Sequence, residues 1–141
     1  MARFTPEVET LAQQVLVKMR TQFPNAIQMV YDNYNFLVIG FSPTEHPSEA
    51  IFSIAMSPRR VSLCFLQAGP KLSDPEKLLR GSGKQVRHIR LESAAVLDQP
   101  AVKALMTQAL KLAAVPFNSA TPGRLVIRSV SAKQRPRRPE K

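Results

Sequence analysis

Positive charge and imidazole gather in one short stretch of the chain, Gly81-Ser82-Gly83-Lys84-Gln85-Val86-Arg87-His88-Ile89-Arg90-Leu91. Such a set is the equipment of an anion pocket: turn amides supply N–H donors, and Lys84, Arg87 and Arg90 supply charge-assisted hydrogen bonds. Gly81 and Gly83 free the backbone for turn conformations that cost other residues energy. In the strand that follows, alternation sends Val86, His88 and Arg90 to one face and Arg87, Ile89 and Leu91 to the other. Ile89 and Leu91 mark the core face, which leaves His88 and Arg90 on the wetter side. Gly81, Gly83, Lys84, Arg87, His88 and Arg90 are therefore the candidate ligand-binding residues.

Other chemistries fit the residues less well. A Walker A loop needs a glycine five residues before its second glycine, where this chain has Leu78, and it lies between a strand and a helix in the opposite order. His88 has cations as its sequence neighbours and His46 lies in a proline-bounded loop; no HxH, HxxxH or CxxC spacing offers a metal two ligands from one element. Cys64, the only cysteine, sits mid-strand as a small apolar residue, and its solitude excludes an internal disulfide. Asp74, Glu76 and Asp98 have capping explanations and Asp32 a turn explanation, so no general acid/base pair is set up. A binding module is expected rather than an enzyme, with no cofactor and with a small anion or a protein as its partner.

The elements that must position these residues follow from periodicity. Thr5-Pro6-Glu7-Val8-Glu9 starts a helix, with an N-cap hydroxyl, proline in the first turn and carboxylates at the positive end of the dipole. Val8, Leu11, Ala12, Val15, Leu16 and Met19 make one apolar stripe as far as Phe23-Pro24. Runs at 27–31, 34–41, 50–56 and 61–66 are rich in β-branched and aromatic residues and are separated by turn signals at Asp32-Asn33, 42–48 and Ser57-Pro58-Arg59-Arg60. These connections are too short for parallel crossovers, so a meander is expected. Ser53, Ser62, Cys64, His88 and Arg90 would then share an open sheet face. Residues 72–79 have the grammar of a short capped helix, and residues 86–91 form the fifth strand. Asp98 or Gln99 caps a last helix with Pro100 in its first turn and a stripe of Val102, Leu105, Met106, Ala109, Leu110 and Ala113. The expected fold is α+β in two layers: an antiparallel sheet of about five strands with the N- and C-terminal helices on one face.

Length and charge divide the chain into a body and a tail. One domain is expected over 1–117, followed by a basic tail at 118–141 with an edge strand at 124–130 and a disordered end at 131–141. The formal net charge is +10, and residues 1–117 hold 13 Lys/Arg against 9 Asp/Glu, whereas residues 118–141 hold 7 against 1. Lys133, Arg135, Arg137 and Arg138 would give that tail a weak, salt-sensitive affinity for nucleic acid or another polyanion. The longest apolar run, 36–41, is far short of a membrane span, and Met1-Ala2-Arg3-Phe4 leads into Pro6 without an apolar core. A cytoplasmic protein is expected, as a monomer or small homo-oligomer and with no membrane partner.

Several of these segments together resemble the YdhG-like domain family: Val61-Ser62-Leu63-Cys64-Phe65-Leu66, then Leu72-x-Asp74-Pro75, the stretch from Gly81 to Leu91, and the helix opening at Pro100-Ala101-Val102. The closing Ser131-Ala132-Lys133-Gln134-Arg135-Pro136-Arg137-Arg138-Pro139 is similar to tails of some members. The resemblance runs from about Pro6 to the end of the chain. It implies a compact, frataxin-like α+β domain in a family largely without assigned function, one branch of which is described as intracellular iron chaperones. Iron delivery is thus the alternative function that the resemblance implies, with its ligands unassigned. Frataxin-type binding relies on an acidic ridge, and the first helix here carries Glu7 and Glu9 on a net basic body.

Overall fold

The computed structural model describes residues 5–32, 36–46, 49–67, 69–75, 77–81, 86–113, 115–117 and 123–130. Helix α1 spans Pro6–Gln22. The Thr5 hydroxyl accepts the Val8 amide at 3.2 Å, and the Phe23 amide closes the far end on the Met19 carbonyl at 2.9 Å. Strands β1 (Ile27–Asp32), β2 (Leu37–Ser42), β3 (Phe52–Ser57), β4 (Arg60–Phe65) and β5 (Arg87–Leu91) pair antiparallel in sequence order. The Pro58-Arg59 loop is a two-residue hairpin, with Ser57 opposite Arg60. Helix α2 spans Pro100–Leu112, and β6 spans Arg124–Val130. The sheet order is β5-β4-β3-β2-β1-β6.

The two-layer α+β expectation holds, with one difference in the sheet. The edge strand expected at 124–130 joins the five as a sixth, and it lies parallel to β1. A parallel pair needs a crossover connection, and α2 lies within the segment that joins β5 to β6 across the sheet. At the start of β6, a Cβ on Gly123 would lie 2.2 Å from the Pro24 carbonyl oxygen. Only glycine permits that approach.

The core lies between the sheet and the helices. Val8, Ala12, Val15 and Met19 of α1 and Val102, Leu105, Met106 and Ala109 of α2 are buried with Phe41, Phe52, Ile54, Leu63 and Phe65. Phe52 sits at the centre of an aromatic set, with ring centroids 5.3 Å from Phe23 and 5.7 Å from Phe65. The connector after β5 does not run as an irregular loop: residues Ala94–Asp98 wind into a 3-10 helix that touches α1, α2 and β5. Its apolar Ala94 and Leu97 are buried, and Asp98 meets Lys18 of α1 at 2.6 Å. Asp98 therefore ties two elements together rather than capping α2; Gln99 occupies the N-cap position and makes no side-chain cap bond there.

The short helix expected at 72–79 does not form in the described residues. After a 3-10 turn at Gly69–Lys71, the Asp74 carboxylate does accept amides, from Leu78 at 2.9 Å and Leu79 at 2.8 Å. Lys77, however, lies at φ 56°, a left-handed conformation that ends a helical turn. The acidic cap serves a turn that sends the chain back along β5.

The opposite face of the sheet is also less open than expected. Ser42, Ser53 and Ser62 are buried, and Ile27, Met29 and Ala50 form a second small cluster with Tyr31, Leu66 and Val126 against it. Ala50 lies over Gly40, its Cβ 3.9 Å from where a glycine Cβ would be. The Gln67 amide group fixes that loop by donating to the Glu49 and Ala50 carbonyls at 3.1 and 3.0 Å.

Candidate anion site at the sheet edge

The edge of the sheet at β5 is finished by the segment that precedes it. Arg80 and His88 exchange backbone hydrogen bonds, with Arg80 N–H donating to the His88 carbonyl at 2.8 Å and His88 N–H to the Arg80 carbonyl at 3.0 Å. This antiparallel bridge puts the two side chains on one face. Gly81 follows at φ +115°, in a region that side-chain-bearing residues rarely adopt, and an added Cβ would meet the Val86 carbonyl oxygen at 3.3 Å. Further back, the Gln108 side chain of α2 accepts the Ser73 amide at 2.7 Å and donates to the Ser73 carbonyl at 3.0 Å. Together with the Asp74 turn, these bonds hold residues 77–80 in place.

Register does the rest. Ser62 faces Arg90, Cys64 faces His88, and Arg60 begins β4 on the same face as Ser62. The result is a cleft of about 520 Å³ between the sheet edge, the 77–80 segment and the start of α2. Among its described lining residues are four cations, Arg60, Lys77, Arg80 and Arg90, together with His88 and one carboxylate, Glu92. All four cations are exposed, and like charges gathered around one hollow create a positive potential that an anion relieves. Arg60 and Arg90 also border a second hollow of about 280 Å³ that reaches Glu7 and Leu11 of α1.

The residues singled out from the sequence are distributed unevenly around this cleft. His88 and Arg90 line it, and Gly81 turns the chain beside it. Arg87 lies on the other face of β5, opposite Phe65, where its guanidinium donates to the Val86 carbonyl at 2.8 Å. Gly83 and Lys84 lie outside the described residues, as do Lys133, Arg135, Arg137 and Arg138 of the tail. Arg60, Lys77 and Arg80 were not singled out. Alternation within one strand finds His88 and Arg90, but only the pairing of β4, β5 and the returning 77–80 segment brings the other cations to them.

Cys64 is partly buried, and burial pushes its thiol above the ordinary range, an effect that a hydrogen bond with Ser53 partly offsets. A neutral thiol in such a place is a packing group rather than a nucleophile. Among the described residues, no group of three or more His, Cys, Asp or Glu side chains is placed to hold a metal ion. No described helix is long and apolar enough to cross a membrane. Compared with protein-family models, with curated proteins and with solved structures, the chain matches none.

Proposed function

We propose that the chain is a binding module of the YdhG-like kind, whose cleft at the β5 edge takes up a small anion without transforming it. The observation that carries this reading is the convergence of Arg60, Lys77, Arg80 and Arg90 beside His88 on one hollow that holds Glu92 as its described carboxylate. Segments 61–66 and 81–91, on which the family resemblance rests, contribute Ser62, His88, Ile89 and Arg90 to the same wall. Arginine suits the task because its planar fork binds phosphate or carboxylate oxygens in pairs and stays charged at every physiological pH.

Calorimetric titration with inorganic phosphate tests the reading. A hydrogen bond to a charged partner contributes about 1.5–3 kcal/mol, so the double substitution Arg80→Gln/Arg90→Gln is expected to weaken phosphate binding at least about 100-fold. Both changes leave the backbone bridge of Arg80 to His88 in place, and an unchanged far-ultraviolet spectrum would confirm the fold. Lys103→Gln, on α2 and outside the cleft lining, should leave affinity unaltered. Equal binding by the double variant and the parent protein would place the anion elsewhere.

A further inference from the structure

The cleft is larger, and more apolar in part, than a simple anion requires. An inorganic anion is only a few water molecules in size, at ~30 Å³ each, and would leave most of the hollow to solvent. A volume of about 520 Å³ lies instead in the range of sites for organic molecules. Its lining also divides by chemistry. Arg60, Lys77, Arg80 and Arg90 supply charge, whereas Leu78, Ile89, Val96 and Val102 supply apolar lining from four separate segments. Ile89 and Val102 are buried, and Leu78 and Val96 are half-buried, packed against the main core. Val96 comes from the 3-10 helix, which leads directly into α2.

From this division we infer that the ligand is an organic phosphate, a phosphomonoester carrying an apolar or aromatic group, with the phosphate among the arginines and the apolar group against Leu78 and Val96. The inference rests on the anion-binding reading and names the class of molecule it takes. One feature favours a phosphate over a monocarboxylate: four cations line the cleft with one described carboxylate, so their partner should carry more than one negative charge. Apolar walls flanked by a few convergent polar groups are the usual construction of a small-molecule site. Glu92 adds a preference of its own, since an acceptor at the cationic end favours a ligand with a hydroxyl or amine near its phosphate.

Titrating the full chain with inorganic phosphate, phenyl phosphate and phenol separates the terms. Burying about 60 Å² of ring surface is worth about tenfold in affinity, so phenyl phosphate is expected to bind at least that much more tightly than inorganic phosphate, with phenol weakest of the three. Val96→Thr, nearly isosteric, should reduce the advantage of phenyl phosphate severalfold while leaving inorganic phosphate unchanged; Val96→Ala serves the same purpose if the first variant is poorly folded. Equal affinity for phenyl and inorganic phosphate would overturn the inference and leave the anion reading standing. Binding of phenol as tight as that of phenyl phosphate would overturn it too, by making the cleft an apolar site. Failure of both phosphates to bind would remove the anion reading and the inference with it.

Discussion

The two edges of the sheet are finished in different ways. At the β5 edge the chain turns back locally: Arg80 bridges to His88 eight residues later, through Gly81 at φ +115°. At the β1 edge the covering strand arrives from far away in sequence, β6 pairing Arg124 with Ile27 and Val126 with Met29. The local edge brings cations together. The distant edge brings apolar residues together, with Val126 packed against the cluster of Ile27, Met29 and Ala50. Hydrophobic burial is non-directional and can recruit a strand over a long loop, whereas a hairpin fixes side chains in a set geometry at small entropic cost. Three of the four cations that line the cleft, Lys77, Arg80 and Arg90, stand on the edge made by the short connection.

That contrast can be broken at Gly123. A methyl group there would lie 2.2 Å from the Pro24 carbonyl oxygen and 3.1 Å from that of Ala26, and both obstacles are backbone. Gly123→Ala is therefore expected to cost about 3 kcal/mol, the upper end of the usual range for overpacking, and to loosen β6 from β1. Urea denaturation would measure the loss, and hydrogen exchange would locate it in faster exchange of β1 amides. Phosphate affinity should be preserved, because the cleft lies at the other end of the sheet order. A parallel loss of phosphate binding would mean that the two edges are not independent.

How much of this was legible in the sequence follows the same division between local and distant. Thr5-Pro6 and Phe23-Pro24 bound α1 as their chemistry dictates, and the alternation of β5 buries Ile89 and Leu91 while exposing Arg90. The segment at 72–79 misleads because the cap is real and the helix is not. Asp74 satisfies two amides, yet the chain must reach His88 by Arg80, and the left-handed Lys77 diverts it there. Half of the cleft was invisible for a related reason. Arg60, Lys77 and Arg80 carry no signal that distinguishes them from solvated surface cations, and only strand register gathers them. Ser53 and Ser62 mislead in the other direction, since small polar residues in a strand look like a wet face and here are buried at 3% and 8% exposure.

The β5 edge offers a smaller and more selective perturbation. Replacing Asp74 with alanine removes the acceptor for the Leu78 and Leu79 amides, which then depend on water. Loss of a comparable cap costs about 1–2 kcal/mol. The functional consequence should exceed the structural one: Lys77 and Arg80 lose their fixed approach to the cleft, and phosphate affinity is expected to fall about tenfold. Asp74→Asn, which keeps one acceptor oxygen but turns an NH2 donor toward the second amide, should recover only part of both. Calorimetry of the two variants would check this, and full phosphate affinity in Asp74→Ala would show that the turn does not position the cations.

The smallest effect lies between the edges, at Cys64 on β4, which pairs with Ser53 on one side and His88 on the other. Burial raises its thiol, so the folded protein holds the proton more tightly than the unfolded chain, whose thiol ionises near pH 8.5. A raised folded pKa contributes stability that is fully present below the unfolded value and is lost as pH rises through the folded one. The stability difference between the parent protein and Cys64→Ala should therefore be flat from pH 6 to 8. Above that it should shift against the parent, by about 1 kcal/mol at most near pH 9, because ionisation then favours the unfolded thiol. Taking the difference cancels the lysines and tyrosines that titrate in both proteins. Native Cys64 should also alkylate far more slowly with iodoacetamide at pH 8 than the same residue in urea, since the thiolate is the nucleophile and the fold suppresses it. A difference curve that stays flat through pH 9.5, with rapid native alkylation, would mean that the strip of sheet between the edges is as wet as its serines made it look.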